Sequence, residues 1–83
     1  MAKNIKTIEY SYTVIYESIK DGGYQVTVPL LPGLVTFGRS LDEAQEMAQD
    51  AILCYLESLQ KDKEQIPSEK SLIQERMTVS LSR

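Results

Sequence analysis

From Ile8 to Tyr16 every second residue is apolar or aromatic: Ile8, Tyr10, Tyr12, Val14 and Tyr16. Side chains alternate faces along a strand, so this set predicts a first strand with one apolar side. Lys20-Asp21-Gly22-Gly23 then reads as a turn, because glycine accepts positive φ without a steric cost. Tyr24, Val26 and Val28 restore the two-residue period, with Gln25 and Thr27 between them. Two such runs joined by a short glycine-bearing loop predict an antiparallel hairpin. Pro29 cannot donate a ladder hydrogen bond and ends the second strand. Leu31-Pro32-Gly33 predicts another turn, and Leu34 to Gly38 a short third strand.

The pattern then changes period. Ser40 with Glu43 three residues later forms a capping box, in which each side chain satisfies a backbone N–H near a helix start. Leu41, Ala44, Met47, Ala48, Ala51, Ile52, Tyr55, Leu56 and Leu59 follow at helical spacing, a wide apolar stripe suited to packing on a sheet. After Gln60 the chain turns polar, and Pro67 blocks any continuation of the helix. Met77, Val79 and Leu81 alternate with Thr78 and Ser80 and predict a last strand.

The expected order is β-β-β-α-β, an α+β fold. Two hairpins set the third strand parallel to the first. The helix then serves as a right-handed crossover to a fourth strand beside the first. That gives a four-stranded mixed sheet of order 3-2-1-4 with the helix on one face. Residues 1–83 form one domain, with 1–7 a loose lead-in and 61–75 a polar connection to the last strand.

Composition narrows the function classes. A chain of 83 residues buries about 60–65% of its unfolded surface, so its core is thin and self-association is an obvious further source of stability. One cysteine and no signal-peptide-like start indicate a reducing compartment, the cytoplasm, and no apolar run reaches membrane-spanning length. Twelve acidic residues outnumber nine basic ones, for a net charge of −3. Releasing counterions from a polyphosphate needs a basic patch, so direct nucleic-acid binding is not expected.

No catalytic set is present. There is no histidine, and a single cysteine excludes the usual zinc patterns, so no catalytic residue, metal or cofactor is expected. Cys54 falls at the edge of the apolar stripe with Asp50 and Glu57 nearby, which suits a half-buried small residue better than an activated thiol. Tyr10, Tyr12, Tyr16 and Tyr24 sit at strand positions without interleaved basic residues, which favours packing over base stacking. The helix carries the one concentrated charge pattern. Asp42, Glu43, Glu46, Asp50 and Glu57 fall in one narrow arc opposite the apolar stripe, with no basic residue between Leu41 and Gln60. A solvated face is the ordinary reading, helped by carboxylates meeting the helix dipole. With Leu53 projecting into the same face, the alternative is a docking strip for a basic partner, made of Asp42, Glu46, Asp50, Leu53 and Glu57.

The ordered set Tyr12-Thr13-Val14, Asp21-Gly22-Gly23-Tyr24, Val28-Pro29, Leu31-Pro32-Gly33, Gly38, Ser40, Glu43-Ala44, Ala51, Tyr55-Leu56 and Ile66-Pro67 resembles the HicB-like antitoxins. The resemblance covers about two-thirds of the chain. It implies a partial ribonuclease-H-like fold and a small basic HicA-like ribonuclease as partner, whose active site the antitoxin masks. Three positions depart from the family pattern. Leu30 stands where an aspartate is frequent, Leu34 where a small residue is common, and Arg39 where the loop often carries an acid. Losing the acid at Leu30 removes a ligand that residual metal-dependent nuclease chemistry would want. Full antitoxins often append a DNA-binding module. Glu75 to Leu81 resembles the opening strand of a ribbon-helix-helix, but no helices follow, so it is assigned to the last strand.

The expected function is therefore a non-enzymatic antitoxin, short in form, that neutralises a HicA-like mRNA-cleaving toxin and self-associates as a dimer or tetramer. Two alternatives are an orphan oligomeric module binding another protein or a small ligand, and a vestigial nuclease using Asp21 and Glu17. The scattered acids disfavour the second. Gly22, Gly23, Pro29, Pro32 and Gly33 are structural turn residues on this reading, and Ser40 and Glu43 the helix cap.

Overall fold

A computed structural model describes residues 7–69 and 73–83. Its regular elements are β1 (Ile15–Ser18), β2 (Tyr24–Thr27), β3 (Val35–Gly38) and α1 (Leu41–Lys61). The three strands form one antiparallel sheet in the order β1-β2-β3, with Ile15 opposite Thr27 and Tyr24 opposite Gly38.

The sheet is smaller than the sequence pattern suggests. Met77–Leu81 belongs to no strand, so the sheet is neither four-stranded nor mixed, and the 3-2-1-4 order loses its last member. The partial ribonuclease-H-like architecture that rested on that fourth strand is not supported. Alternation gives a segment a strand's faces but supplies no hydrogen-bonding neighbour, and residues 73–83 are all exposed. The first strand is also shorter than its apolar period. Continuing the β1–β2 register past Ile15 and Thr27 would set Thr13 opposite Pro29, which has no N–H to donate. The expected lead-in falls almost wholly on residues 1–6, outside the described residues. Of the 61–75 connection, Lys61 closes the helix and residues 70–72 lie outside the described residues.

Both expected turns form, for identifiable reasons. In the β1–β2 loop the Gly22 N–H donates to the Ile19 carbonyl at 2.9 Å and the Ile19 N–H to the Gly23 carbonyl at 3.0 Å. Gly23 has φ +91°, and a Cβ there would lie 2.8 Å from the Gly38 carbonyl oxygen and from the Phe37 ring. The β2–β3 connection is two successive tight turns. The Leu31 N–H donates to the Val28 carbonyl at 3.0 Å, and the Leu34 N–H to the Leu31 carbonyl at 3.1 Å. Each turn has proline in its second place, where the ring presets φ, and the second has Gly33 at φ +86°, the signature of a type II turn.

The double turn folds inward. Val28, Leu31 and Leu34 are buried and pack with Tyr12, Val14, Ala51, Ile52, Tyr55 and Leu56. The Tyr55 hydroxyl donates to the Pro32 carbonyl at 2.9 Å, fixing the turn to the helix. A second cluster joins Val26 to Ala44 and Ala48, flanked by Val14, Tyr16 and Tyr24. Alanines serve here because the helix start lies so near the sheet. A Cβ on Gly38 would fall 2.3 Å from the Ala44 nitrogen.

Ser40 caps α1 with φ −132° and ψ 168°, its hydroxyl accepting from the Glu43 N–H at 3.1 Å. The Glu43 carboxylate reaches one residue further back than a simple capping box, accepting from the Arg39 N–H at 2.7 Å. Of the predicted stripe, Ala44 and Ala48 are buried and Ala51, Ile52, Tyr55, Leu56 and Leu59 half-buried, whereas Leu41 and Met47 are exposed. Beyond the helix, Lys63 adopts φ +56°, and the Asp62, Lys63 and Glu64 N–H groups return to the Ser58, Gln60 and Leu59 carbonyls.

Gly23→Val is expected to destabilise the domain by about 1–2 kcal/mol or more, because a branched side chain meets both positive φ and the β3 backbone. Gly38→Ala is expected to cost about 1–3 kcal/mol through overpacking against the first helical turn. Thermal unfolding of both variants checks this, and an unchanged melting temperature for Gly23→Val would contradict the turn geometry.

Candidate functional site

Three surfaces remain once the fold has buried what it can. The first is the outer face of α1, where Asp42, Glu46, Asp50, Leu53 and Glu57 are all exposed, Leu53 to 58%. The 3.6-residue period that turns Ala44 and Ala48 into the sheet necessarily turns these residues out. The helix thus presents carboxylates and one aliphatic side chain together. Cys54 lies among them and is exposed rather than half-buried as its wheel position suggested.

A second surface is the sheet face opposite the helix. Strand alternation points Tyr16, Tyr24 and Val26 toward α1 and sends Ile15, Val35 and Phe37 to the other side, where all three are exposed. Sequence reasoning passed over these three because it followed the even-numbered apolar positions. The available signal was that Ile15, Val35 and Phe37 break a clean apolar-in, polar-out pattern.

The third surface is a groove of about 490 Å³ between the N-terminal segment and the C-terminal half of the helix. Ile8, Tyr10 and Tyr12 form one wall and Ile52, Leu53 and Leu56 the other, with Ile66 at one end and Glu57 at the rim. Ile8 is 70% exposed. Beside the groove, hydrogen bonds join residues 55 and 56 positions apart in the chain. The Tyr12 hydroxyl donates to the Pro67 carbonyl at 2.6 Å. The Glu69 carboxylate accepts from both the Thr13 N–H and the Thr13 hydroxyl, at 2.5 and 2.9 Å. Burial pushes the Tyr12 phenol above its ordinary value of 10.0, with Tyr10 and Glu69 acting in the same direction through charge.

The turn residues Gly22, Gly23, Pro29, Pro32 and Gly33 serve the fold and lie apart from the helix strip. Among the described residues no group of three or more histidine, cysteine, aspartate or glutamate side chains could hold a metal ion. Among the same residues no helix is long and apolar enough to cross a membrane.

Residues 12–80 match the family described as the HicB-like antitoxin of bacterial toxin-antitoxin systems. This chain belongs to that family. Antitoxin HicB 1 of Photorhabdus laumondii is 37% identical over 78 residues, covering 94% of this HicB-like chain and 49% of its own length. A UPF0150 protein of Thermoplasma acidophilum is 45% identical over 60 residues, covering 72% of the chain and 87% of the relative. One from Synechocystis is 36% identical over 64 residues, covering 77% and 81%. Many of the HicB-like motif residues have structural duties here. Leu31 and Val28 fill the core, Pro32 receives Tyr55, Gly38 admits the helix, Ser40 caps it, and Tyr12 meets Pro67.

Tyr12→Phe removes the bond to Pro67 and is expected to cost about 1 kcal/mol at neutral pH. A phenol whose folded pKa is raised contributes its stability fully below pH 10.0 and loses it as pH rises through the folded value. The stability gap between wild type and Tyr12→Phe is therefore expected to stay constant from pH 6 to 9 and to close above pH 10. Denaturant titrations at stepped pH check the sign; a gap that widens with alkalinity would refute it.

Proposed function

We propose that this chain is an antitoxin-type binding module that neutralises a HicA-like mRNA-cleaving toxin by masking its active site, and that it performs no catalysis itself. The observation that carries the reading is the family match across residues 12–80. The surface chemistry is compatible with it. An enzyme that holds RNA needs positive charge around its site, and α1 offers five carboxylates without a basic residue between Leu41 and Gln60.

The partner surface is the helix strip of Asp42, Glu46, Asp50, Leu53 and Glu57. Opposed charge across such an interface raises the encounter rate and suppresses wrong partners more than it adds affinity. Leu53 supplies an apolar contact inside the charged field. The net charge of −3 weighs against direct nucleic-acid binding, so the module acts on protein, and its single cysteine suits a reducing compartment, the cytoplasm. It also self-associates, since its exposed apolar surfaces and unpaired strand edges exceed what so small a core can cover.

Co-expression with a small basic HicA-like ribonuclease tests the function. The expected result is a complex that co-purifies and no longer cleaves RNA; cleavage undiminished by saturating antitoxin would overturn it. Glu46, Asp50 and Glu57 changed together to lysine test the surface. All three side chains are exposed, so the fold should persist. Association with the toxin is expected to slow by about tenfold or more and to lose most of its salt dependence. An association rate equal to wild type would reduce the strip to a solvated face.

A further inference from the structure

The apolar groove and the acidic face of the helix are one continuous surface. Leu53 and Glu57 belong to both: each lines the groove, and each stands in the strip that begins at Asp42. The helical period explains the overlap. Ile52 and Leu56 pack toward the core cluster of Val28, Leu31 and Leu34, and Leu53 and Glu57, each one residue later, lie about 100° further round the helix.

Charge in the groove has one sign. Among the described residues lining it, Glu57 alone is charged at neutral pH, and Gln49 and Gln60 complete the helix wall with amides. Its apolar surface is open to solvent at Ile8, Tyr10 and Leu53. The bond from the Tyr12 hydroxyl to the Pro67 carbonyl ties one wall to the chain at Ile66, so the seat is formed before any partner arrives.

We infer that the toxin anchors in this groove: one of its apolar side chains enters between Tyr10 and Leu53, and a lysine or arginine beside that side chain meets Glu57. The inference rests on the toxin-binding reading above and adds the contact that holds the partner once it has arrived. The two parts of the surface act at different stages. Charge along the strip speeds encounter and is screened by salt, whereas a side chain desolvated in an apolar seat slows departure. At about 490 Å³ the groove has room for an aromatic or branched side chain and its neighbours. Charge selects the occupant. A second copy would bring its own acidic helix, with no base from Leu41 to Gln60, against an acidic rim, whereas an enzyme that holds RNA brings the opposite sign. The other exposed apolar face, at Ile15, Val35 and Phe37, is turned away from the strip and offers no such continuity.

Changing Ile8 and Tyr10 together to serine tests the seat without altering charge. Both residues are exposed and neither belongs to the helix strip, so the circular dichroism should persist and any effect on binding reports the groove. With a HicA-like ribonuclease as the probe, dissociation is expected to quicken by about tenfold or more, while the association rate and its salt dependence stay within about twofold of wild type. The lysine variant of the strip should show the converse. Methyl resonances of the wild-type chain give a second readout that needs no variant: on adding the ribonuclease, Ile8, Leu53 and Leu56 are expected to shift more than Ile15 and Val35. An unchanged dissociation rate, or larger shifts at Ile15 and Val35, would overturn the anchor while leaving toxin binding intact. A serine variant that sediments differently from wild type without the ribonuclease would give the groove to a second copy and overturn it likewise. A wild-type chain that forms no complex with the ribonuclease would overturn both the anchor and the proposed function.

Discussion

Close approach between the start of the helix and the end of the third strand governs the rest of the structure. Gly38 has no Cβ, and the Ala44 backbone occupies the space one would take. With the helix so near, the residues beneath it must be small. Ala44 and Ala48 are buried against Val26, and larger side chains appear only further along the helix, at Ile52, Tyr55 and Leu56. Those fit because the chain between the second and third strands turns inward and delivers Leu31 to meet them. Packing is therefore graded from tight contact at the capped end to broad side-chain contact at the other. The cap belongs to the same arrangement. Ser40 and Glu43 fix the direction in which the chain leaves the sheet, and an error there would lift both alanines from Val26.

The residues that mark the family are mostly those that hold this arrangement. On the function proposed above, that separation has a functional sense. An inhibitor that works by covering a site needs a stable shape and a suitable surface, and neither demands a reactive group. The scaffold can keep its motifs while the exposed positions of the helix are free to follow a partner.

Local chemistry in the sequence was legible and long-range chemistry was not. The helix start, both turns and the interruption at Pro29 follow from residue types whose backbone preferences are strong. The exposed strip of Asp42, Glu46, Asp50, Leu53 and Glu57 likewise follows from a period that a helix enforces. The last strand failed for a different reason. Met77, Val79 and Leu81 have the alternation of a strand, but alternation does not say where a hydrogen-bonding neighbour will be found. Cys54 was misplaced because a wheel assigns angle and not depth. The bonds from Tyr12 to Pro67 and from Thr13 to Glu69 join residues more than fifty positions apart, and nothing local announces them.

Those two contacts also order events in time. The hairpins and helix close over short separations, and such contacts form early because little chain entropy is lost in making them. The clasp at Thr13 must wait for Glu69, 56 residues downstream. During synthesis the sheet and helix can assemble while the chain is still growing, and the clasp then fastens the segment before the first strand to newly made chain. Only afterwards does the segment beyond Glu69 emerge. A body completed before that segment arrives spends little of its synthesis with both the exposed apolar residues Met77, Val79 and Leu81 and an unfinished core.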